Sequence, residues 1–235
     1  MKNIILKSLA TAACLLAASS SYASLILVAP ENFGGSGLGA VNTILTIQNN
    51  PTETGSVIYN GSTDITSGDA KTGASQSQTR TISELGLTNA SSLRIVFNAV
   101  EPSGDSIRLD NLVLNFYNST GSVLFSSGAF TPVSFANTFT GTGNSGSVFA
   151  LDAAQAAAAQ TAVFNLSSFG NVRLGLSASA SFSAGGNETF FIAKSANGGG
   201  GGNGEVPEPG TVALVGLGLL GFAFLRRKSA KSKNA

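Results

Sequence analysis

The stretch NVRLGLSASASFS, residues 171–183, decides the fold class of this chain. Apolar side chains alternate there with Arg, Gly and Ser, and the apolar positions are Val172, Leu174, Leu176, Ala178, Ala180 and Phe182. A period of two residues places successive side chains on opposite faces of a β-strand. The stretch therefore predicts a strand with one face in a hydrophobic core and the other facing solvent, as in antiparallel sheets.

Seven further stretches between Leu25 and Lys194 are strand candidates: LILVA, NTILTIQ, SVIY, SLRIVFNAV, IRLDNLVLNFYN, SVLFSS and ETFFIAK. Clusters of Gly, Ser, Thr and Asn separate them, as turns separate strands. At least eight short strands predict an all-β body, a single β-sandwich or jelly roll. Most phenylalanines follow the apolar phase or lie beside it and are expected in the core, among them Phe97, Phe116, Phe125, Phe164 and Phe182.

One segment of the body departs from this pattern. LDAAQAAAAQTAVF, residues 151–164, is rich in Ala and contains neither Gly nor Pro, which predicts the one short helix of the body. Asp152 and Gln155 have the spacing of a relaxed capping box at its start. We expect this helix to connect two strands across one end of the sandwich.

The N-terminus has the pattern of a secretory signal peptide over residues 1–23. Lys2 and Lys7 precede an apolar stretch, and SYA then places small residues before a cleavage site between Ala23 and Ser24. The apolar stretch is shorter than the roughly 20 residues that span a bilayer, so export by signal peptidase is favoured over a membrane anchor. The only cysteine, Cys14, lies inside this segment, so the mature chain can form no disulfide.

The composition of the body excludes several functions. The chain has no histidine and no tryptophan, which removes Ser-His-Asp and Cys-His catalytic sets and the usual zinc sites. Residues 24–208 hold all twelve carboxylates and only six of the thirteen basic residues, so the body is acidic and nucleic acid is a poor partner. We therefore expect a non-catalytic protein without a cofactor. Paired carboxylates, as in glycosidases, remain open by residue type alone.

A weak ligand site is suggested by EPSGDSIRLDNLVL, which resembles the Asp-Asn-containing strand of many carbohydrate-binding jelly rolls. Asp105, Asp110 and Asn111, with Glu101, offer the oxygen ligands that calcium or a sugar would use. The alternative is that Asp105 forms a turn with Gly104 and that Asp110 and Asn111 satisfy backbone groups. No Asp-x-Asp-x-Asp-Gly loop occurs in the chain, which favours the alternative.

The C-terminus reads as a membrane segment with a short preceding motif. A Gly-rich linker at residues 197–205 leads into VPEP, a charge-free helix predicted at 211–225, and the basic stop Arg226, Arg227 and Lys228. The glycines within VALVGLGLLG have the Gly-x-Gly-x-x-Gly spacing of a nucleotide-binding turn. No acidic residue and no room for a second strand follow them, so a nucleotide site is excluded.

These parts in this order, over residues 206–235, resemble a PEP-CTERM sorting signal, in which Pro207, Glu208 and Pro209 match the recognised motif. The resemblance implies a protein exported by a bacterium that makes extracellular polysaccharide and processed by exosortase, an integral-membrane cysteine transpeptidase. A plain tail anchor that is never cut is the alternative.

Together these features predict an exported protein whose body, residues 24–196, is held transiently in the membrane and then resides at the cell surface or outside the cell. The first hypothesis is a structural or matrix protein among exopolysaccharide or in a biofilm, without chemistry of its own. The second is a carbohydrate-binding adhesin on the same fold.

Overall fold

The computed structural model describes residues 24–31, 33, 42–73, 75–102, 105–136 and 146–195. Contacts divide the chain into two units, Met1–Gly201 and Gly202–Ala235, and all described residues lie in the first. The predicted signal peptide, Gly-rich linker, sorting motif and C-terminal helix lie outside the described residues. No helix of the described part is both long and apolar enough to cross a membrane.

The described residues form twelve strands and one α-helix. The strands are β1 Leu25–Val28, β2 Asn42–Ile47, β3 Thr52–Tyr59, β4 Asp64–Gly68, β5 Arg80–Thr81, β6 Leu93–Asn98, β7 Ile107–Tyr117, β8 Val123–Ser126, β9 Val133–Phe135, β10 Ser147–Leu151, β11 Arg173–Ser181 and β12 Glu188–Lys194; the helix is α1 Ala153–Ala159. All eight stretches predicted as strands are confirmed, and β4, β5, β9 and β10 were not predicted.

The strands form two antiparallel sheets. The smaller has the order β1-β10-β6-β12-β2, and the larger has the order β4-β3-β11-β7-β8, with β5 on β11 and β9 on β7. Most neighbours are far apart in sequence, as for β1 with β10 and β3 with β11. Both sheets contribute to one hydrophobic core, in which Phe97 and Phe190 of the smaller sheet lie with Leu114 and Leu176 of the larger. This arrangement confirms the predicted β-rich body with two sheets and one short helix.

Strand β11, inside the stretch 171–183, lies at the centre of the larger sheet. It pairs with β3 from Leu176 to Ser181 on one side and with β7 along its whole length on the other. Its residues Leu174, Leu176, Ala178 and Ala180 are buried, as the alternation predicts. Phe182 is a correction to the predicted core: it follows the strand with φ 64° and is 64% exposed.

The alternation of apolar residues in strand β7 shifts by one position halfway along the strand. Ile107 and Leu109 are buried, and after a two-residue polar interval Leu112, Leu114 and Phe116 are buried in turn. The register against β11 shifts at the same place, where Ser179 lies opposite Asn111 and Ala180 lies opposite Leu109. The extra residue Asp110 forms a β-bulge, which keeps both apolar sets directed at the core.

The predicted helix is shorter than its sequence pattern. Leu151 ends β10, α1 covers Ala153–Ala159, and Gln160–Phe164 continue as one π-helical turn. The Asp152 side chain accepts from the Gln155 amide at 2.9 Å, so the predicted N-cap is present. The reciprocal half of the capping box is not formed, because Gln155 Oε1 is buried without a hydrogen-bond partner among the described residues.

The close fit of β11 to its neighbours can be tested at Gly175. A Cβ atom there would collide with the Val57 carbonyl oxygen and would lie 2.9 Å from Cε2 of Tyr117. We expect Gly175→Ala to lower the free energy of unfolding by about 1–3 kcal/mol, measured by urea denaturation, because the packed neighbours must move.

The matched control is Gly170→Ala, where the new Cβ would meet only Cβ of Ser83, at an ordinary 3.6 Å. Its unfolding free energy should change by no more than about 0.5 kcal/mol. Equal losses in the two variants would contradict the account of β11 packing.

Candidate functional site

Three buried carboxylates form the most unusual polar group of the described residues. Glu53 is the second residue of β3, Glu188 is the first residue of β12, and Glu101 lies in the loop after β6. They are 1%, 0% and 1% exposed, respectively. Because Glu53 belongs to the larger sheet and Glu188 to the smaller, the cluster joins the two layers.

The local sequence directs these side chains inward. Glu53 shares the buried phase of β3 with Val57, and Glu188 shares that of β12 with Phe190 and Ile192. Glu101 is held by the loop between β11 and β12: its Oε2 accepts from the Ala184 amide at 2.8 Å. The same loop is tied to the chain before Glu101, since the Gly186 amide donates to the Val100 carbonyl oxygen at 2.7 Å.

Few donors reach the cluster. Both oxygens of Glu53, both of Glu188 and Oε1 of Glu101 are buried without a hydrogen-bond donor from the other described residues. Burial and, after it, the neighbouring Glu53 and Glu101 carboxyl groups together raise the pKa of Glu188 to about 10. Glu188 is therefore protonated and uncharged at neutral pH.

The chemistry open to this cluster is limited by its burial. A glycosidase needs its two carboxyl groups on either side of a substrate bond, and groups that are 0–1% exposed have no such access. Among the residues that the structure describes, no three His, Cys, Asp or Glu side chains stand in an arrangement that could hold a metal ion. Buried carboxyl groups of this kind affect the stability of the fold through their protonation.

Three of the residues proposed from sequence as a weak ligand site lie in β7 of the larger sheet or just before it. Asp110 is the bulged residue of β7 and forms an ion pair with Arg108 at 3.3 Å, and Asn111 is the exposed residue after it. Asp105 is exposed, and its amide donates to the Pro102 carbonyl oxygen at 3.0 Å in a turn. Of the four proposed residues, only Glu101 belongs to the buried carboxylate cluster.

Sequence reasoning did not identify Glu53 and Glu188. Their positions in the alternation could have revealed them. Each glutamate occupies a position of its strand at which the alternation predicts a buried, apolar residue. The remaining predicted positions, Ala23, the tripeptide Pro207–Pro209 and the basic stop Arg226–Lys228, lie outside the described residues. Ser24 is described; it directly precedes β1 and is 7% exposed.

The raised pKa of Glu188 predicts how stability depends on pH. It is raised in the folded state from 4.5 to about 10, so between these values the folded chain holds a proton that the unfolded chain has released. The contribution of Glu188 to stability is then fullest below pH 4.5 and falls as the pH rises toward 10, by up to about 1.4 kcal/mol per pH unit. Urea denaturation at pH 5, 6.5 and 8 measures this slope.

Glu188→Gln should flatten that slope, because the amide is neutral at every pH and has nearly the same shape. Asp105→Asn is the matched control, since Asp105 is an exposed carboxylate in the loop that holds Glu101 and is not one of the three buried carboxylates, and this variant should keep the wild-type slope. A wild-type protein that becomes more stable between pH 5 and 8 would contradict the protonated state of Glu188.

Comparison with known proteins bears on the C-terminus. A family model described as the PEP-CTERM protein-sorting motif matches residues 205–228. Neither curated proteins nor solved structures gave a match to this chain. The motif is the one expected from Pro207, Glu208 and Pro209, and it implies an exported protein that exosortase processes and that is sorted to the cell surface through the membrane.

Proposed function

We propose that this chain, which carries a PEP-CTERM sorting motif, is a non-catalytic structural protein of the bacterial cell surface or extracellular matrix, associated with exopolysaccharide. The motif at residues 205–228 is the observation that carries the proposal. In this account the signal peptide starts export, the C-terminal helix holds the chain in the bilayer, and exosortase acts at the tripeptide Pro207–Pro209. The β-sandwich is the part that remains at its destination.

The features of the body agree with a passive role. Its two sheets are closed over one apolar core, and the carboxyl groups of Glu53, Glu101 and Glu188 are buried. The ionic side chains of the larger sheet are engaged with each other: Arg173 lies 4.9 Å from the Tyr59 ring centroid and donates through Nε to Thr79 Oγ1 at 2.7 Å. Asp64 accepts from the Thr79 amide at 2.9 Å in the same group. The Thr79 hydroxyl also donates to Oδ1 of Asp64. These contacts stabilise the strands.

Processing is tested by the intact mass of protein recovered from the cell surface. We expect a chain that begins at Ser24 and lacks residues 211–235. Glu208→Ala should retain the C-terminal segment, whereas Glu205→Ala, a carboxylate outside the tripeptide, should still be processed. Wild-type protein that retains residues 211–235 would contradict processing and support the plain tail anchor.

A carbohydrate-binding adhesin is the second candidate, and one surface of the body favours it. Phe182 is 64% exposed and directly follows Ser181, which lies opposite Arg108 of β7. Arg108, Asp110 and Asn111 are therefore near the same end of the larger sheet as an exposed aromatic ring. An aromatic ring that can stack on a sugar, with carboxylate and amide groups that can bind its hydroxyls, is a suitable combination for a polysaccharide.

Retention on the cell's own exopolysaccharide separates the two candidates. If the body is an adhesin, Phe182→Ala and Asp110→Asn should weaken retention about tenfold each. Leu166→Ala, which removes another exposed apolar side chain, 40% exposed, is the control and should bind normally. The assay is run with and without a chelator. No retention, together with a melting temperature that calcium does not change, would exclude the adhesin and leave the matrix protein.

A further inference from the structure

The backbone nitrogen of Ser24 lies against a carboxylate. It donates to Oδ2 of Asp152 at 2.8 Å, and the Asp152 amide donates back to the Ser24 carbonyl oxygen at 3.3 Å. These bonds continue the β1–β10 ladder by one residue, because Leu25 is opposite Leu151. Ser24 is 7% exposed and Asp152 is half-buried, so this contact is partly shielded from solvent.

Asp152 is held in place by a second bond. Its other oxygen, Oδ1, accepts from the Gln155 amide at 2.9 Å as the N-cap of α1. The carboxylate thus has one oxygen on the helix and one on the start of β1. An aspartate can serve both donors as an anion, whereas an asparagine has a single acceptor oxygen for the two.

Cleavage by signal peptidase would change the charge at this position. Hydrolysis of the Ala23–Ser24 peptide bond adds the oxygen of water to the Ala23 carbonyl carbon, and the Ser24 nitrogen leaves as an amine. At neutral pH the products are the Ala23 carboxylate and the Ser24 ammonium, so one amide and one water become one anion and one cation. The anion departs with the signal peptide, and the cation stays at the start of β1.

We infer that Asp152 is a preformed binding site for the ammonium group that signal peptide removal creates at Ser24, so that maturation itself locks β1 onto β10 and α1. The inference rests on the cleavage position of the proposed function. The amide of the precursor already donates to Asp152, and the mature ammonium replaces this neutral bond with a charge-assisted one.

The charged side chains near the pair are already paired with each other. Arg94 of β6, the strand next to β10, donates to the Ser91 carbonyl oxygen at 2.7 Å, and its guanidinium contacts the Glu31 carboxylate at 2.5 Å. β1, β10, α1 and the one-turn helix Ala90–Ser92 pack together here and carry no ionisable side chain in their sequences. Asp152 therefore has no cationic side chain from these elements, and the new terminus is their only cation. β1 is at the edge of the smaller sheet, and among the described strands it pairs with β10 alone. A stronger bond at Ser24 would therefore add to the few contacts that hold β1 in the sheet.

The test compares three forms of the chain that differ only at the N-terminus. One begins with a free Ser24, one with acetylated Ser24, and one with the additional residue Ala23; all extend to Ala235 and are studied in mild detergent. Urea denaturation should give the free Ser24 form an unfolding equilibrium constant about tenfold lower than the other two, since a charged hydrogen bond exceeds a neutral one by this order. Equal stability of the three forms would overturn the inference.

Asp152→Asn is the matched variant, because asparagine is an equally good N-cap residue. In this background the free and acetylated forms should be equally stable, and a remaining tenfold difference would show that the ammonium acts elsewhere. The wild-type difference should also vanish near pH 10.5, well above the range in which an α-amino group titrates. A difference that persists there would overturn the role of the charge.

The N-terminal residue of protein recovered from the cell surface is a separate measurement. Ser24 is the expected result, and any other terminus would overturn the maturation step even if the ammonium stabilises the Ser24 form. Failure of C-terminal processing would leave this inference untouched, because the two ends are read independently in the intact mass and in N-terminal sequencing.

Discussion

The pairing of β11 with both β3 and β7 is the constraint on which the larger sheet depends. These contacts join strands that are far apart in sequence, and no cross-link can replace them, because the chain has a single cysteine, Cys14, at a position in the predicted signal peptide. Gly175 allows the Val57 carbonyl and the Tyr117 ring to approach the strand closely. Once β11 is fixed between its neighbours, its buried face and that of the smaller sheet enclose one core.

Buried polar groups in this core are stabilised in two different ways. Arg94 of β6 is 6% exposed, and its guanidinium reaches the Glu31 carboxylate at 2.5 Å and the carbonyl oxygens of Ser91 and Leu93 at 2.7 and 2.9 Å. No cation contributes to the pKa of Glu188, which burial and the neighbouring carboxyl groups raise to about 10, so Glu188 is neutralised by its own proton. A buried charge needs either partners or neutralisation, and the two sites show one solution each.

Alternation of apolar residues was sufficient to locate eight strands, because a half-buried strand must repeat every two residues. It did not locate β4, β5 or β9, which have only two to five residues, nor β10, whose last residue was included in the predicted helix. Phe182 was misplaced for a related reason: its position continues the alternation, but the strand ends at Ser181 and the backbone turns to a positive φ. The alternation shows which residues of a strand share a face, but it does not show at which residue the strand stops pairing with its neighbours.

The candidate sites also differ in how far the sequence alone revealed them. The C-terminal motif was readable from sequence because sorting signals are contiguous and act through their local chemistry, and the match at residues 205–228 confirms it. The carboxylate cluster was not readable, because Glu53, Glu101 and Glu188 come from three separate parts of the chain and from both sheets. Asp110 and Asn111 stood out in the sequence, and the structure gives them a physical role at the β-bulge that restores the buried phase of β7.

By itself, the sequence determined the all-β class, the acidic and cysteine-free body and the sorting motif, since each follows from composition or from a short local pattern. Only the tertiary structure decided which strands pair, which glutamates are buried together, and that the Ser24 nitrogen donates to Asp152. These depend on contacts between residues more than a hundred positions apart, such as Ser24 and Asp152 with a separation of 128, and a local pattern cannot specify them.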